Sequence, residues 1–311
     1  MLDEEQREEV EAYSKIAEAS GALLPLEELA DLLDIDATEE EFEGIIASDE
    51  SLSSKIFVES GHVVMRRPGS DLAHAQEMAR EELRRRSRAI ANLENASSFA
   101  RPLSRDALFL AVAGTNSYLS ASEGDDIDLY CITKTDGLWA FLLKSFLLSR
   151  IYALTRKAAP PFCFSFVMDE RRAKEELGRP QDALFARDTL TAKVISEHEA
   201  YFPILERASW MKSYFPSLYE RKMKEAESLK HADSRVKKGS RVLNSWLFLT
   251  LGTYVSLKAW AKNRRLAKQG RREAIFRTNK GPGHLEFVSR RYMEIGKMYQ
   301  GMKRGRLHAL S

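Results

Sequence analysis

Two aspartates one residue apart, Asp126 and Asp128, open an apolar run that extends to Thr133 (DIDLYCIT). Read as a strand, its period of two puts both carboxylates on one face and Ile127 and Leu129 on the other. Carboxylates side by side repel each other, and enclosing them is costly unless a cation neutralises them. A donor set of oxygens alone suits Mg²⁺ (or Mn²⁺), an ion that takes phosphate oxygens as further ligands. Just upstream, Leu108 to Ala113 is a second apolar run, read as a buried strand ending at Gly114. Thr115, Asn116 and Ser117 follow, residue types that cap helix starts. A glycine–hydroxyl turn of this kind offers backbone N–H groups and hydroxyls to phosphates. The chemistry these residues suggest is metal-assisted handling of a phosphorylated substrate.

The order Ala113-Gly114-Thr115, ten intervening residues, then Asp126-Ile127-Asp128-Leu129 resembles the signature of the nucleotidyltransferase superfamily. That superfamily includes DNA polymerase β, poly(A) and CCA-adding polymerases and small antibiotic nucleotidyltransferases. Thr115 stands where the family has Gly or Ser, so a hydroxyl is kept. The resemblance implies transfer of a nucleoside monophosphate from an NTP to a hydroxyl acceptor, with release of pyrophosphate. Asp126 and Asp128 would hold the metal, while Gly114, Thr115 and Ser117 would cradle the β- and γ-phosphates. Active members carry a third carboxylate on the next strand, where it helps activate the acceptor hydroxyl. Here that strand is Phe162 to Asp169 (FCFSFVMD). Alternation puts Cys163, Ser165, Val167 and Asp169 on one face. Ser165 takes the mid-strand place expected for the carboxylate, and Asp169 comes only at the strand end; Glu170 points the other way. Either Asp169 completes the catalytic set, or the third carboxylate is missing and the protein binds nucleotides without turnover. Lys193 is a candidate phosphate contact from a helix beside the site, with a solvated surface lysine as the alternative.

The elements that would position these residues fall into three regions. Residues 1–70 read as three short helices and a hairpin, the order of a winged-helix domain. The helix candidates are 6–19, Leu26 to Leu33 entered by Pro25, and one capped by Asp36 or Thr38; Lys55–Val58 and Val63–Arg66 make the hairpin. The third helix, TEEEFEGIIASDES, would be repelled by phosphates, which makes this an interaction or packing module rather than a DNA reader. Residues 71–198 comprise a long charged helix (Asp71 to about Ala96), the strand pair, a buried crossover helix from Gly137 to about Arg156, and the third strand. Residues 199–311 read as a helical domain with aromatic anchors such as Trp210 and Tyr214. A basic, turn-rich stretch from Lys262 to Arg272 and a last amphipathic helix from Phe287 to Met302 complete it. The expected fold class is α+β: a nucleotidyltransferase core with winged-helix-like and helical flanking domains.

The 311 residues carry 44% apolar residues, enough for two or three domains with ordinary cores. Cys131 and Cys163 both sit inside apolar runs, as reduced buried thiols do, and no Cys/His spacing suggests zinc. The start, MLDEEQREEVEAYSK, has no basic-then-apolar leader, so a cytoplasmic protein is expected. Net charge is only +2, yet residues 1–60 hold 19 acidic against 3 basic side chains, and residues 234–311 hold 3 against 19. Opposed ends of this kind can pair within the chain or between two copies in a homodimer. The basic end can instead meet a polyanion such as RNA, with Tyr292 and Tyr299 available for stacking; the acceptor could equally be a protein. The most apolar segment, Val242 to Trp260, is long enough to span a bilayer but is diluted by Asn244, Thr250, Gly252, Thr253 and Lys258. A buried helix of the C-terminal region, without stable membrane insertion, is the expectation there.

Overall fold

The structure, a computed structural model, describes residues 2–19, 21–66, 69, 71–155, 160–196, 201–228 and 239–309, with side chains described to residue 300. Most of the linker expected at 66–70 and the boundary expected near 198 lie outside these residues.

The chain begins with α1 (Glu4–Ala19), the two-residue strand β1 (Leu24–Pro25), α2 (Leu26–Leu33), α3 (Glu39–Ala47), α4 (Glu50–Ser53), β2 (Ile56–Glu59) and β3 (His62–Met65). Thr38 and Glu41 form a reciprocal capping box at the start of α3, which satisfies backbone donors that would otherwise be orphaned. A three-stranded antiparallel sheet in the order β1-β3-β2 closes the module. The long helix α5 (Leu72–Ala100), capped by Asp71, leads out of it.

Next come β4 (Ala107–Ala113), β5 (Ile127–Thr133), α6 (Leu138–Thr155), β6 (Phe162–Asp169), α7 (Glu170–Leu177), α8 (Ala183–Thr191), β7 (Lys193–Ser196), α9 (Tyr201–Arg207) and α10 (Pro216–Ser228). The chain ends with α11 (Arg241–Lys268), β8 (Phe276–Gly281), β9 (His284–Ser289) and α12 (Arg290–Ala309). The other six strands form one mixed sheet in the order β7-β4-β5-β6-β9-β8. Its single parallel pair, β5 and β6, is joined by the crossover helix α6, as a parallel connection requires.

This topology corrects the expected partition. The C-terminal third supplies the β8–β9 hairpin, which adds to the main sheet beside β6. Phe287 to Ser289, read as the start of the final helix, therefore end β9, that helix begins only at Arg290, and the basic stretch from Lys262 continues α11 as far as Lys268. Trp139 ties α6 to both C-terminal elements. Its backbone N–H donates to Asn244 Oδ1 (2.9 Å) and its indole N–H to the Gly281 carbonyl (2.9 Å). Asn244 Nδ2 in turn donates to the Pro282 carbonyl at 2.9 Å. The segment 242–260 is a helix, as expected, but it is covered on one side only: Leu247 and Val255 are buried while Val242, Trp246 and Leu249 are exposed. Of the described helices, α6 is the one long and apolar enough to cross a membrane (mean hydropathy 1.3), and 28% of it is buried.

Each face of the sheet packs a core. On one side, Leu110, Val112, Leu129, Cys131 and Val167 meet the end of α5, α6 and α11. On the other, Phe109, Ala111, Tyr130, Ile132 and Met168 join α8, α9 and α10, and that core runs without interruption into Leu26, Leu29 and Phe42 of the N-terminal module. Ion pairs reinforce this junction. Arg187 of α8 is paired with Glu28 of α2, its guanidinium lies 4.2 Å from the Tyr118 ring centroid, and Arg221 of α10 is paired with Asp31. The acidic end of the chain thus meets cations from the middle of the sequence, while Arg291 from the basic end donates to the Ala19 carbonyl at 2.6 Å.

Arg187 and Glu28 are both largely enclosed, so removing one partner leaves the other without compensation. Arg187→Ala is expected to lower stability by about 3–5 kcal/mol, whereas Arg187→Met with Glu28→Leu should recover most of the loss. Urea denaturation of the three variants checks both.

Candidate functional site

Strand β4 ends at Ala113, and Gly114 then turns the chain with φ +66°, a conformation that strains any residue with a Cβ. The register pairs Ala113 with Asp128, which brings the aspartate against the turn. A Cβ added at Gly114 would stand 2.9 Å from Asp128 Oδ2, so a larger residue would push that carboxylate aside in addition to straining the dihedral. A 3₁₀ turn over Gly114–Asn116 follows. Buried Asn116 fixes it: its Nδ2 donates to the Asp126 carbonyl (3.0 Å), and its Oδ1 accepts from Asn92 Nδ2 of α5 (2.8 Å). The turn, the start of β5 and the long helix are thereby held as one unit.

Asp126 and Asp128 both line a cleft of about 1320 Å³, together with Gly114 and Thr115. Burial, reinforced by the charge of Asp126, pushes the Asp128 carboxyl up to about 7; hydrogen bonds from Ser165 and Cys163 act in the opposite direction. The principal groups acting on Asp128 include no cation. Its carboxylate also helps to raise the Cys163 thiol well above the ordinary range, behind burial as the main cause.

Three of the sequence-derived assignments need correcting. Asp169 is remote from the paired aspartates. Asp128 pairs with Cys163 but Tyr130 pairs with Phe166, so β6 carries one extra residue between these points. That bulge reverses the inward–outward phase. Cys163 and Ser165 stay beside Asp128, whereas Val167 turns into the opposite core and Asp169 follows it. Asp169 also lies six residues beyond Cys163 in the strand, roughly 20 Å at strand rise. Its carboxylate accepts from Arg172 N–H (2.9 Å) as the N-cap of α7. No cluster of three or more His, Cys, Asp or Glu side chains suited to a metal is present among the described residues.

Ser117 is buried with its hydroxyl donating back to the Gly114 carbonyl (2.8 Å), and it does not line the cleft. Thr115 does line it, with its hydroxyl donating to Asp125 Oδ2 (3.1 Å). Lys193 belongs to the edge strand β7, paired with Val112, and lies outside the cleft. Burial, with Lys222 of α10 nearby, lowers its affinity for a proton.

The structure adds residues that sequence reasoning missed. Ser120 lines the cleft and its buried hydroxyl has no hydrogen-bond partner. Lys258 and Lys262 of α11 also line the cleft, and Lys262 acts electrostatically on Cys163. The spacing of these two lysines, one helical turn apart on a single face, was the available signal. Tyr118, just after the turn, donates its hydroxyl to Asp188, a carboxylate that burial pushes upward and that Tyr292 of α12 also bonds. The cleft is therefore lined by carboxylates, a glycine turn and the ammonium groups of two lysines.

The donor set, two carboxylate side chains with oxygen atoms only, fits a hard divalent cation of the Mg²⁺ class. Comparison of the chain with protein-family models, with curated proteins and with solved structures gave no match.

In the metal-free chain, Asp128 titrates near 7 when folded and at 3.8 in the ordinary carboxyl environment. The folded state then holds the proton more tightly, so stability should fall as pH rises from about 4 to 7 and level off above, a loss of up to roughly 4 kcal/mol. Asp128→Asn should flatten that slope in chelator-treated protein, and thermal melts across this pH range measure it.

Proposed function

We propose that this chain is a nucleotidyltransferase, transferring a nucleoside monophosphate from an NTP to a hydroxyl acceptor in a Mg²⁺-dependent reaction. The observation that carries the reading is the packing of Gly114 against Asp128. It sets a phosphate-sized glycine turn beside a carboxylate pair, so that phosphates seated on the one would meet a cation held by the other. Under this reading the mixed sheet is the nucleotidyltransferase core and the first 70 residues are a winged-helix-like module.

Asp126 and Asp128 would hold the divalent ion. When bound, that ion would neutralise charge gathering on the pyrophosphate as it leaves. The backbone N–H groups after Gly114, with the hydroxyls of Thr115 and Ser120, would orient the phosphates from the cleft floor. Lys258 and Lys262 would offer ammonium groups to the same oxygens. Asp128 with a carboxyl near 7 is half-ionised at neutral pH, and a bound cation would draw it fully to the carboxylate.

A second reading is favoured by one feature, the presence of Ser165 and Cys163 beside Asp128 where active members of the resembled family place a carboxylate. A protein so built would bind nucleotide without turning it over. Loss of a general base typically lowers a rate by about 10²–10⁴-fold. Isothermal titration with each NTP and Mg²⁺ should give binding that the Asp126→Asn, Asp128→Asn double variant abolishes; unchanged binding in the folded variant would overturn the reading. Pyrophosphate release then separates enzyme from binder. If turnover is slow, Ser165→Asp is expected to raise it, while Asp169→Ala should leave the per-molecule rate of folded protein unchanged.

A further inference from the structure

The outer face of α11 carries Val242, Trp246, Leu249, Thr253, Leu257 and Trp260 at intervals of three and four residues, which places them in one stripe. The apolar members are between 61% and 82% exposed. Helix α6 runs alongside in the same direction, with Trp139 at Asn244 and Arg150 at Tyr254. Its exposed Leu147, Ile151 and Leu154 widen the patch. Together these side chains leave on the order of 1,000 Å² of apolar surface uncovered, more than soluble monomers normally expose and comparable to one partner's share of a standard interface.

The stripe is symmetric in sequence about Thr253. Trp246 and Trp260 are each seven residues from it, and Leu249 and Leu257 each four. Two antiparallel copies crossing at Thr253 would therefore set Trp246 against Trp260 and Leu249 against Leu257 twice over, which is what an isologous two-fold contact requires. The small threonine at the crossing lets two helix axes approach to about 8–10 Å. All 16 residues from Val242 to Leu257 are uncharged, so no ionised group of α11 is desolvated at the centre. Apart from Arg241 at its first position, the cations of α11 gather from Lys258 to Lys268, and the flanking cation nearest the crossing, Arg150 of α6, donates to the Tyr254 hydroxyl at 3.4 Å. Antiparallel pairing separates the two clusters at 262–268 by roughly 36 Å along the axis, beyond the screening length of physiological salt. A helix that lies on an anionic bilayer carries its Lys and Arg along the whole polar flank, which α11 does not.

From this geometry we propose that the α11 stripe, flanked by α6, is the interface of a homodimer formed with a second copy of the chain about a two-fold axis at Thr253. The proposal does not depend on the reading of the cleft. Sedimentation of the full-length protein across the micromolar range should give a dimer, and Leu249→Glu with Leu257→Glu should give a monomer with unchanged circular dichroism. Thr253→Arg, a single change on an exposed position, should also shift it to monomer. Mild oxidation of Thr253→Cys should yield a covalent dimer, whereas Arg86→Cys should not. Wild-type protein that stays monomeric, including one that adsorbs to phosphatidylglycerol vesicles, would overturn the proposal. So would a dimer that survives both sets of interface substitutions.

Discussion

The contact on which the cleft depends is the one between the Asp128 carboxylate and the backbone of Gly114. It follows from strand register: Ala113 opposite Asp128 places a charged side chain over the end of β4, where a Cβ at Gly114 would press on its Oδ2. Three consequences come from that single approach. The turn takes a left-handed start at Gly114 and closes on itself, with the Ser117 and Tyr118 N–H groups both donating to the Gly114 carbonyl. Asp128 loses water on the side of the turn, which raises its affinity for protons and for cations alike. Asn116 is carried to where it can clasp the Asp126 carbonyl, so the second aspartate is fixed through the first one's turn.

The bulge in β6 is the next determinant. Without it, alternation from Cys163 would have run to Asp169, and a carboxylate would have occupied the face of Asp128. With it, the far half of β6 presents Val167 to the α6–α11 core and Met168 to the other core. Asp169 is left to start α7, where its carboxylate serves an N–H at a helix N-terminus. The same side chain crowds Gly283, where a Cβ would come within 2.9 Å of it. An aspartate so occupied has a structural task that competes with any role in the cleft.

Much of the chain was legible because its signals were local. The two aspartates at period two, the glycine that ends an apolar run, Pro25 before α2 and the Thr38–Glu41 box each act within four residues. What escaped the sequence was non-local. The β6 bulge depends on packing between strands and leaves no composition signal, so strict alternation put Asp169 on the wrong face. The β8–β9 hairpin carries Asn279, Lys280, Gly281 and Pro282 between its apolar ends, a turn signature masked by the basic residues around it. Strand β7 is only four residues long, and Lys193 was read into a neighbouring helix for that reason. The segment 242–260 was correctly helical, but its hydropathy could not say that only one side would find a partner.

The charge asymmetry of the chain bears on the cleft in a way composition alone left open. The acidic module is not an appendage, because Leu23, Leu24 and Glu28 line the cleft beside the glycine turn. Its acidic side chains meet Arg187 and Arg221, so much of its charge is satisfied within the fold. Lys258 and Lys262 come from the basic end and line the same cleft as the aspartates. A cleft lined by one sign alone would favour a simple anion or a bare cation. Carboxylates and ammonium groups in one cleft suit a ligand that carries both signs, as a polyphosphate with its divalent cation does. The stacking of Arg187 on Tyr118 passes the module's position directly to the turn after β4, so the geometry of that turn is set jointly by the first and middle parts of the chain. The lysines from α11 are positioned separately, through Trp139, Asn244 and the β8–β9 turn. That support is itself tied to the module, because β9 runs directly into α12, whose Arg291 donates to the Ala19 carbonyl and whose Tyr299 packs on Tyr13, so both sides of the cleft register the position of the first part of the chain.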